Sequence, residues 1–467
     1  MTNLAVTDWL PMLGDRPGPL YRVIATALHD DILSGRLPPG TRLPTHRDLA
    51  WRLKVTVGTV TRAYREAERQ GLIGGEVGRG TFVRDPRRLP DPPAGSQPSA
   101  NLIDLSVNAI ALMPDEPALR RALEAVAAGP DLSATMTYGP VTGAEAARAA
   151  VAEWIGATAG LRVGGDDLLL AAGGQGAMHA ALSTAARPGD VVLVEQLTYT
   201  GVKAVAANLG LRLVPVPMDR DGLLPDAVAA LARQHGARAL YCVPTLQNPT
   251  TVTLPLERRL ALVEVARATG LTIVEDDVFG FLLDTPPPPL AAIGPDVTVY
   301  VAGLSKSLFP GLRAGYVVPP PALAGRVAAA IHATLLTSTH VGALTAAELI
   351  RSGDALRIGR RRRALVMARQ KLARQVLGFD PPGSNPAATH LWLSLPEPWR
   401  REEFTRELLA RGVKVTAADA FTVARGDTPH AVRICLCGTE SDHALATGME
   451  AVAALLREPA GMEAALV

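Results

Sequence analysis

The chain has 467 residues, 48% of them hydrophobic, and its 47 Lys and Arg against 45 Asp and Glu leave a net charge of only +2. That length calls for two or three domains and the apolar content fills large cores, so bulk disorder is excluded. The whole molecule is no general polyanion binder, yet residues 1–90 hold 14 basic against 9 acidic side chains and the remainder 33 against 36, so one end alone is suited to a polyanion.

In chain order, no charged-then-apolar leader opens the sequence, and residues 20–34 place Ile24, Leu28 and Ile32 at helical spacing with Gly35 just past the end. Within 43–73, Thr45 can cap a short helix carrying Leu49 and Leu53. A turn at Lys54, Val55 and Thr56 leads to a second helix with Val60, Ala63, Tyr64 and Ala67 inward and Thr59, Thr61, Arg62 and Arg65 outward. Two short helices joined by a tight turn lay the second one in the DNA major groove. GGEVGRGTFV at 74–83 reads as a glycine-rich hairpin with Arg79 at its tip, a wing for the minor groove or the backbone.

This stretch resembles the GntR family of winged-helix repressors over about residues 19–83. The resemblance implies that Arg47, Thr56, Thr59 and Arg79 contact DNA, mostly at phosphates. Val57 replaces a usual arginine and His46 a usual glutamate, which moves base readout toward Arg62. A protein-binding winged helix is the alternative for this head of residues 1–83.

Residues 84–100, RDPRRLPDPPAGSQPSA, have the Pro-rich, polar composition of a linker. Beyond it, over 101–460, apolar runs at 167–172, 191–195, 211–216, 239–244, 271–276 and 297–303 alternate with Ala-rich helical stretches. That pattern predicts a mostly parallel sheet covered by helices on both faces. Strand-end loops then carry the chemistry, as open α/β sheets require. LAAGGQGAMHAAL (170–182) runs a strand into glycines and a helix, whose amides can cradle a phosphate. Tyr199 offers an aromatic face for stacking, Asn248 lies on another loop, and Asp276 could keep a pyridine nitrogen protonated. Lys306, one of only five lysines, follows a strand amid small residues, where it can form a Schiff base, and Arg313 can hold a phosphate. The arginine run 359–365 is read as a solvated helix face, and Cys435-x-Cys437 as a buried strand rather than half a zinc site.

The order of these pieces resembles the fold-type I, class I aminotransferases, with a large mostly parallel-sheet domain and a small α+β domain. The resemblance implies pyridoxal phosphate held by Lys306, Asp276 on the pyridinium, Asn248 on the ring hydroxyl and Tyr199 stacked. Gly174, Gln175, Ser305 and Arg313 would hold the phosphate, with Tyr138 reaching it from a second subunit. Arg433 falls where the family grips a substrate carboxylate. Three departures weaken transamination: Phe279 replaces a tyrosine bonded to the cofactor's phenolic oxygen, Gly303 a phosphate-binding serine, and Thr251 a glycine.

Head and body together resemble the MocR subfamily of GntR-type regulators, end to end. That implies a cytoplasmic, head-to-tail homodimer binding double-stranded DNA and sensing an amino compound or pyridoxal phosphate. Three cysteines without disulfide spacing fit a reducing compartment, and no apolar run reaches the roughly 18 residues of a membrane span. Two readings compete: a working aminotransferase, acting on an amino acid and a 2-oxo acid, and a purely DNA-binding protein whose body has lost the cofactor, against which the retention of Lys306, Asp276, Asn248 and Arg313 argues.

Overall fold

The computed structural model describes residues 9–12, 18–38, 40–69, 72–76, 80–83, 102–110, 115–423 and 428–458. The chain divides into two compact units, residues 1–97 and 98–467. The linker expected at 84–100 lies outside the described residues.

In the first unit, α1 (Leu20–Leu33), α2 (His46–Leu53) and α3 (Val57–Arg69) precede a two-stranded antiparallel hairpin, β1 (Ile73–Glu76) and β2 (Gly80–Val83). The expected inward residues of α1 and α3 form its core, with Leu28, Val60 and Ala63 at 0% exposure. Thr45 caps α2, its hydroxyl oxygen accepting from the Asp48 N–H at 3.2 Å. Lys54 then turns the chain with φ 54°, and the Thr56 hydroxyl oxygen accepts from the Thr59 N–H at 3.2 Å to start α3. Trp9 adds to this core and donates its indole N–H to Asp31 at 2.7 Å.

The second unit opens with β3 (Ile103–Asp104) and continues through β4 (Leu169–Ala172), β5 (Val191–Glu195), β6 (Arg212–Val216), a small hairpin of β7 (Met218–Asp219) and β8 (Gly222–Leu223), β9 (Ala239–Cys242), β10 (Thr272–Asp276), β11 (Thr298–Gly303) and β12 (Ala314–Val318). Seven of these form one sheet in the order β4-β12-β11-β10-β9-β5-β6. All six expected strands are present and parallel; β12 is a seventh, antiparallel to both β11 and β4. Both faces are buried, as the unbroken apolar runs require: Val192 and Val194 pack to one side and Val191 and Leu193 to the other.

The smaller part of this unit joins β13 (His390–Ser394), β15 (Thr416–Ala417) and β16 (Ala431–Cys435) in an antiparallel sheet. Beside it β14 (Val413–Lys414) pairs in parallel with β3. Cys435 and Cys437 are buried as expected. The arginine run needs correction. It lies on the 24-residue helix Asp354–Leu377, and its buried stripe of Ala355, Ile358, Arg362, Val366, Arg369 and Ala373 takes in Arg362 at 2% exposure. Among the described residues no helix is long and apolar enough to cross a membrane.

Candidate functional site

The carboxyl ends of β5, β9, β10 and β11 carry Tyr199, Asn248, Asp276 and Lys306 on their following loops or last residues. Lys306 is half-buried, and its Nζ donates to the Asn108 carbonyl. Burial pushes this amine down to about 8; the Arg433 and Arg362 charges add to the push, while Cys435 and Asp276 oppose it.

Asp276 is 6% exposed, and its Oδ2 accepts from the Tyr241 hydroxyl at 2.7 Å. Burial raises its carboxyl to about 7, with neighbouring Asp277 adding to the rise and the Tyr241 hydrogen bond and Lys306 charge opposing it. A buried acid in that condition favours a cationic partner. Burial likewise raises the half-buried Tyr199 hydroxyl, and the Asp276 charge adds to it.

Asn248 and Arg433 were read separately from sequence, but they form one pair. Arg433 Nη1 donates to Asn248 Oδ1 at 2.9 Å and its Nη2 to the Ser106 carbonyl at 2.7 Å. The guanidinium stands 4.8 Å from the Phe421 ring centroid, and its Nε is buried without a partner. Thr251 adopts φ 65°, a left-handed conformation that strains a β-branched residue; its hydroxyl donates to Gly383 O at 3.2 Å and accepts from Asn385 N at 3.0 Å.

The helix Gly173–Ala185 begins where β4 ends, and its start is built for glycine. Gly173 has φ 76°, and a Cβ on Gly303 would fall 2.6 Å from the Gly174 nitrogen. The missing serine at 303 therefore has a steric reason: any side chain would strike the helix start. Arg313 lies beside Gly173 and donates Nη2 to the Ala172 carbonyl at 3.0 Å. Gln175 Nε2 donates to the Gly201 carbonyl at 3.0 Å, and Gly201 leaves room for the Tyr199 ring, which its own Cβ would meet at 2.2 Å. Ser305 is half-buried next to Lys306.

The two remaining expected cofactor residues differ in their surroundings. Phe279 is 3% exposed within the apolar core and has no polar atom to donate. Tyr138 is 82% exposed on a loop.

The sequence reading missed Asn108, Tyr241, His390 and Arg362. His390 is fully buried; its Nε2 faces the Pro249 carbonyl at 3.0 Å and must donate, which leaves Nδ1 to accept from Asn108 Nδ2 at 3.4 Å. Burial holds its pKa down at about 3, in keeping with that neutral ring. Arg362 Nη1 donates to the Lys306 carbonyl at 2.7 Å. Its helical spacing among apolar residues was the one available signal; nothing in the sequence marks the other three.

On the head, Arg47, Thr56, Arg62 and Arg65 are exposed, whereas Thr59 and Thr61 are half-buried. Thr61 is turned toward His46, 3.3 Å from its Nδ1, which makes it a packing rather than a surface residue. The Arg62 guanidinium lies over the Tyr21 ring, 5.7 Å from its centroid. Arg79 lies outside the described residues.

Comparison with known proteins adds two family matches. Residues 20–83 match the gntR family of bacterial regulatory proteins, and residues 100–447 match aminotransferase class I and II. The HTH-type transcriptional regulator YdeF of Bacillus subtilis is 31% identical over 455 residues, 96% of this chain and 97% of that protein. The HTH-type pyridoxine biosynthesis transcriptional regulator PdxR of Corynebacterium glutamicum is 28% identical over 401 residues, 84% of this chain and 86% of its own. A kynurenine aminotransferase of Pyrococcus horikoshii shares the body's fold, with a TM-score of 0.70 at 23% identity over 77% of this chain and 91% of its own.

Proposed function

The chain belongs to the MocR-type bacterial regulators, which join a gntR-family head to a class I and II aminotransferase body, and on that premise we propose that it binds operator DNA under the control of a pyridoxal phosphate site at Lys306. The observation that carries the reading is the union of an exposed basic helix-turn-helix surface with a half-buried amine and a buried acid and amide in one chain.

The residues fit the cofactor. The helix start at Gly173 and Gly174, beside Arg313, is a cradle that a Cβ on Gly303 would fill, and the buried Arg433 Nε is left unpartnered. When bound, pyridoxal phosphate supplies an aldehyde that condenses with amines and a ring that withdraws electrons. Lys306 would hold the aldehyde, and its depressed pKa leaves a useful fraction of free base near neutrality. Asp276 would keep a proton on the ring nitrogen, Asn248 would hydrogen-bond the ring hydroxyl, and Tyr199 would stack on the ring. Gly174, Gln175, Ser305 and Arg313 take the phosphate, and Arg433 receives the carboxylate of an amino compound. In a head-to-tail homodimer, the exposed Tyr138 reaches the partner subunit's phosphate site. Arg47, Thr56, Thr59 and Arg79 bind DNA phosphates and Arg62 reads bases.

Sensing rather than turnover is favoured because Phe279 offers no donor where a catalytic site tunes the phenolic oxygen. A ligand of either kind, amino compound or pyridoxal phosphate, biases DNA binding only by its differential affinity for two states of the body. The test is a footprint of the full chain on DNA upstream of its own gene, with and without pyridoxal phosphate. Protection of a repeated site that changes with the cofactor is the expected result. A yellow, folded protein that protects nothing in either condition contradicts it, and turnover of an amino acid with a 2-oxo acid would then be the assay to run.

A further inference from the structure

Four arginines of the body are buried, Arg259, Arg362, Arg369 and Arg433, and their partners differ, Arg433 being bonded to Asn248 and the Ser106 carbonyl as described above. Arg259 lies 3.7 Å from Glu275 and donates to the carbonyls of Leu254 and Pro244. Arg369 pairs with Asp442 at 2.9 Å and also donates to the Leu436 carbonyl. Arg362 has no carboxylate partner among the described residues. It donates Nη1 to the Lys306 carbonyl at 2.7 Å, stands 5.8 Å from the Phe309 ring centroid, and its Nε is buried without a partner. An uncompensated buried charge is costly, so a packing role alone would be served better by an apolar side chain of similar volume.

We infer that Arg362 is a positioning residue for Lys306: it clamps the lysine's own carbonyl and fixes an unneutralised positive charge beside the amine that takes the cofactor. The clamp comes from the helix Asp354–Leu377, so the turn holding Lys306 is braced from outside its own loop. The charge works in the same direction as burial, since a neighbouring cation disfavours the ammonium form. Burial alone lowers the Arg362 guanidinium to about 10, so it stays charged through the neutral range. The inference rests on the reading of Lys306 as the cofactor lysine, and its test separates the two.

The test follows the full chain carrying Arg362→Met, Arg362→Gln or Arg362→Lys. Two readouts are taken against pH: labelling of Lys306 by an acylating reagent without cofactor, followed by mass spectrometry, and the visible absorbance gained on adding pyridoxal phosphate. In the wild type the expected labelling midpoint is near 8, because burial lowers the Lys306 amine to about that value. Loss of the charge in Arg362→Met raises it by roughly 0.5–1 pH unit. Arg362→Lys returns it to the wild-type value, which a merely structural role would not do. Arg362→Gln, which keeps a donor for the carbonyl, gives the same upward shift and replaces the methionine variant if that one does not fold. An unshifted midpoint in a folded neutral variant overturns the inference, as does a lysine variant displaced as far as the neutral ones. A wild type that labels near 8 but gains no absorbance with pyridoxal phosphate sinks the cofactor reading and leaves the role of Arg362 standing.

Discussion

In the head, Arg47, Arg62 and Arg65 stand exposed around a core of Leu28, Leu49 and Val60, whereas in the body Arg362 and Arg433 are buried, one bonded to the carbonyl of half-buried Lys306 and the other to Asn248. The two placements suit two chemistries. Exposed cations meet a polyanion by displacing counterions, an effect that salt screens and that needs no perturbed pKa. Cations taken out of water act at short range on particular atoms, and burial shifts their proton affinities as the price of that precision. One chain thus carries a surface suited to DNA and an interior suited to a reactive small molecule.

The sharpest way to break the comparison is to remove one side of it. Lys306→Ala is expected to abolish the visible absorbance that pyridoxal phosphate gives with the protein while DNA affinity persists in part; an undiminished spectrum would sink the lysine assignment. Next in size, Leu28→Ala empties part of the head core and should cost about 2–5 kcal/mol in denaturant unfolding of the head, with cofactor absorbance unchanged. A simultaneous loss of both would show that the two units do not behave separately.

Arg433→Ala removes a charged donor from Asn248 and from the Ser106 carbonyl, and should weaken the response to carboxylated amino compounds by about 1.5–3 kcal/mol in a binding titration. An undiminished response means that the effector lacks a carboxylate or binds elsewhere. On the head, Arg62→Ala should cost about 1–3 kcal/mol and relax sequence preference, while Arg47→Ala weakens all sequences alike and lowers the salt slope by about 1. Equal effects on all sequences for both variants would make Arg62 a phosphate contact.

The smallest effect is one of pH. Because the Lys306 amine is depressed to about 8, its free base fills in as pH rises through 8, so the initial rate of cofactor uptake climbs up to that point and levels above it. A rate still rising tenfold per unit above pH 9 would mean an unperturbed lysine.

These two regions were also unequally legible in the sequence. Helical spacing and cap chemistry named the inward residues of α1 and α3, because a small amphipathic domain writes its packing directly into its period. Thr61 was misjudged as a surface residue because its bond to His46 joins two helices that the period treats one at a time. In the body the six apolar runs marked six strands. β12 was hidden inside a motif read for its arginine, and strand direction is not encoded in an apolar run. The contacts that define the site join distant positions, such as Lys306 with Asn108 and Arg433 with Asn248, and only the folded sheet brings them together. Arg362 was obscured for another reason: four consecutive arginines look solvated until the helical stripe through Ile358 and Val366 is followed across them.

The most direct test of the account is an equilibrium titration of operator DNA with the wild-type protein and with Lys306→Ala, each with and without pyridoxal phosphate. The account predicts that the cofactor changes DNA affinity for the wild type and leaves that of the variant where it was. An identical cofactor response in both proteins, or none in either, would contradict it.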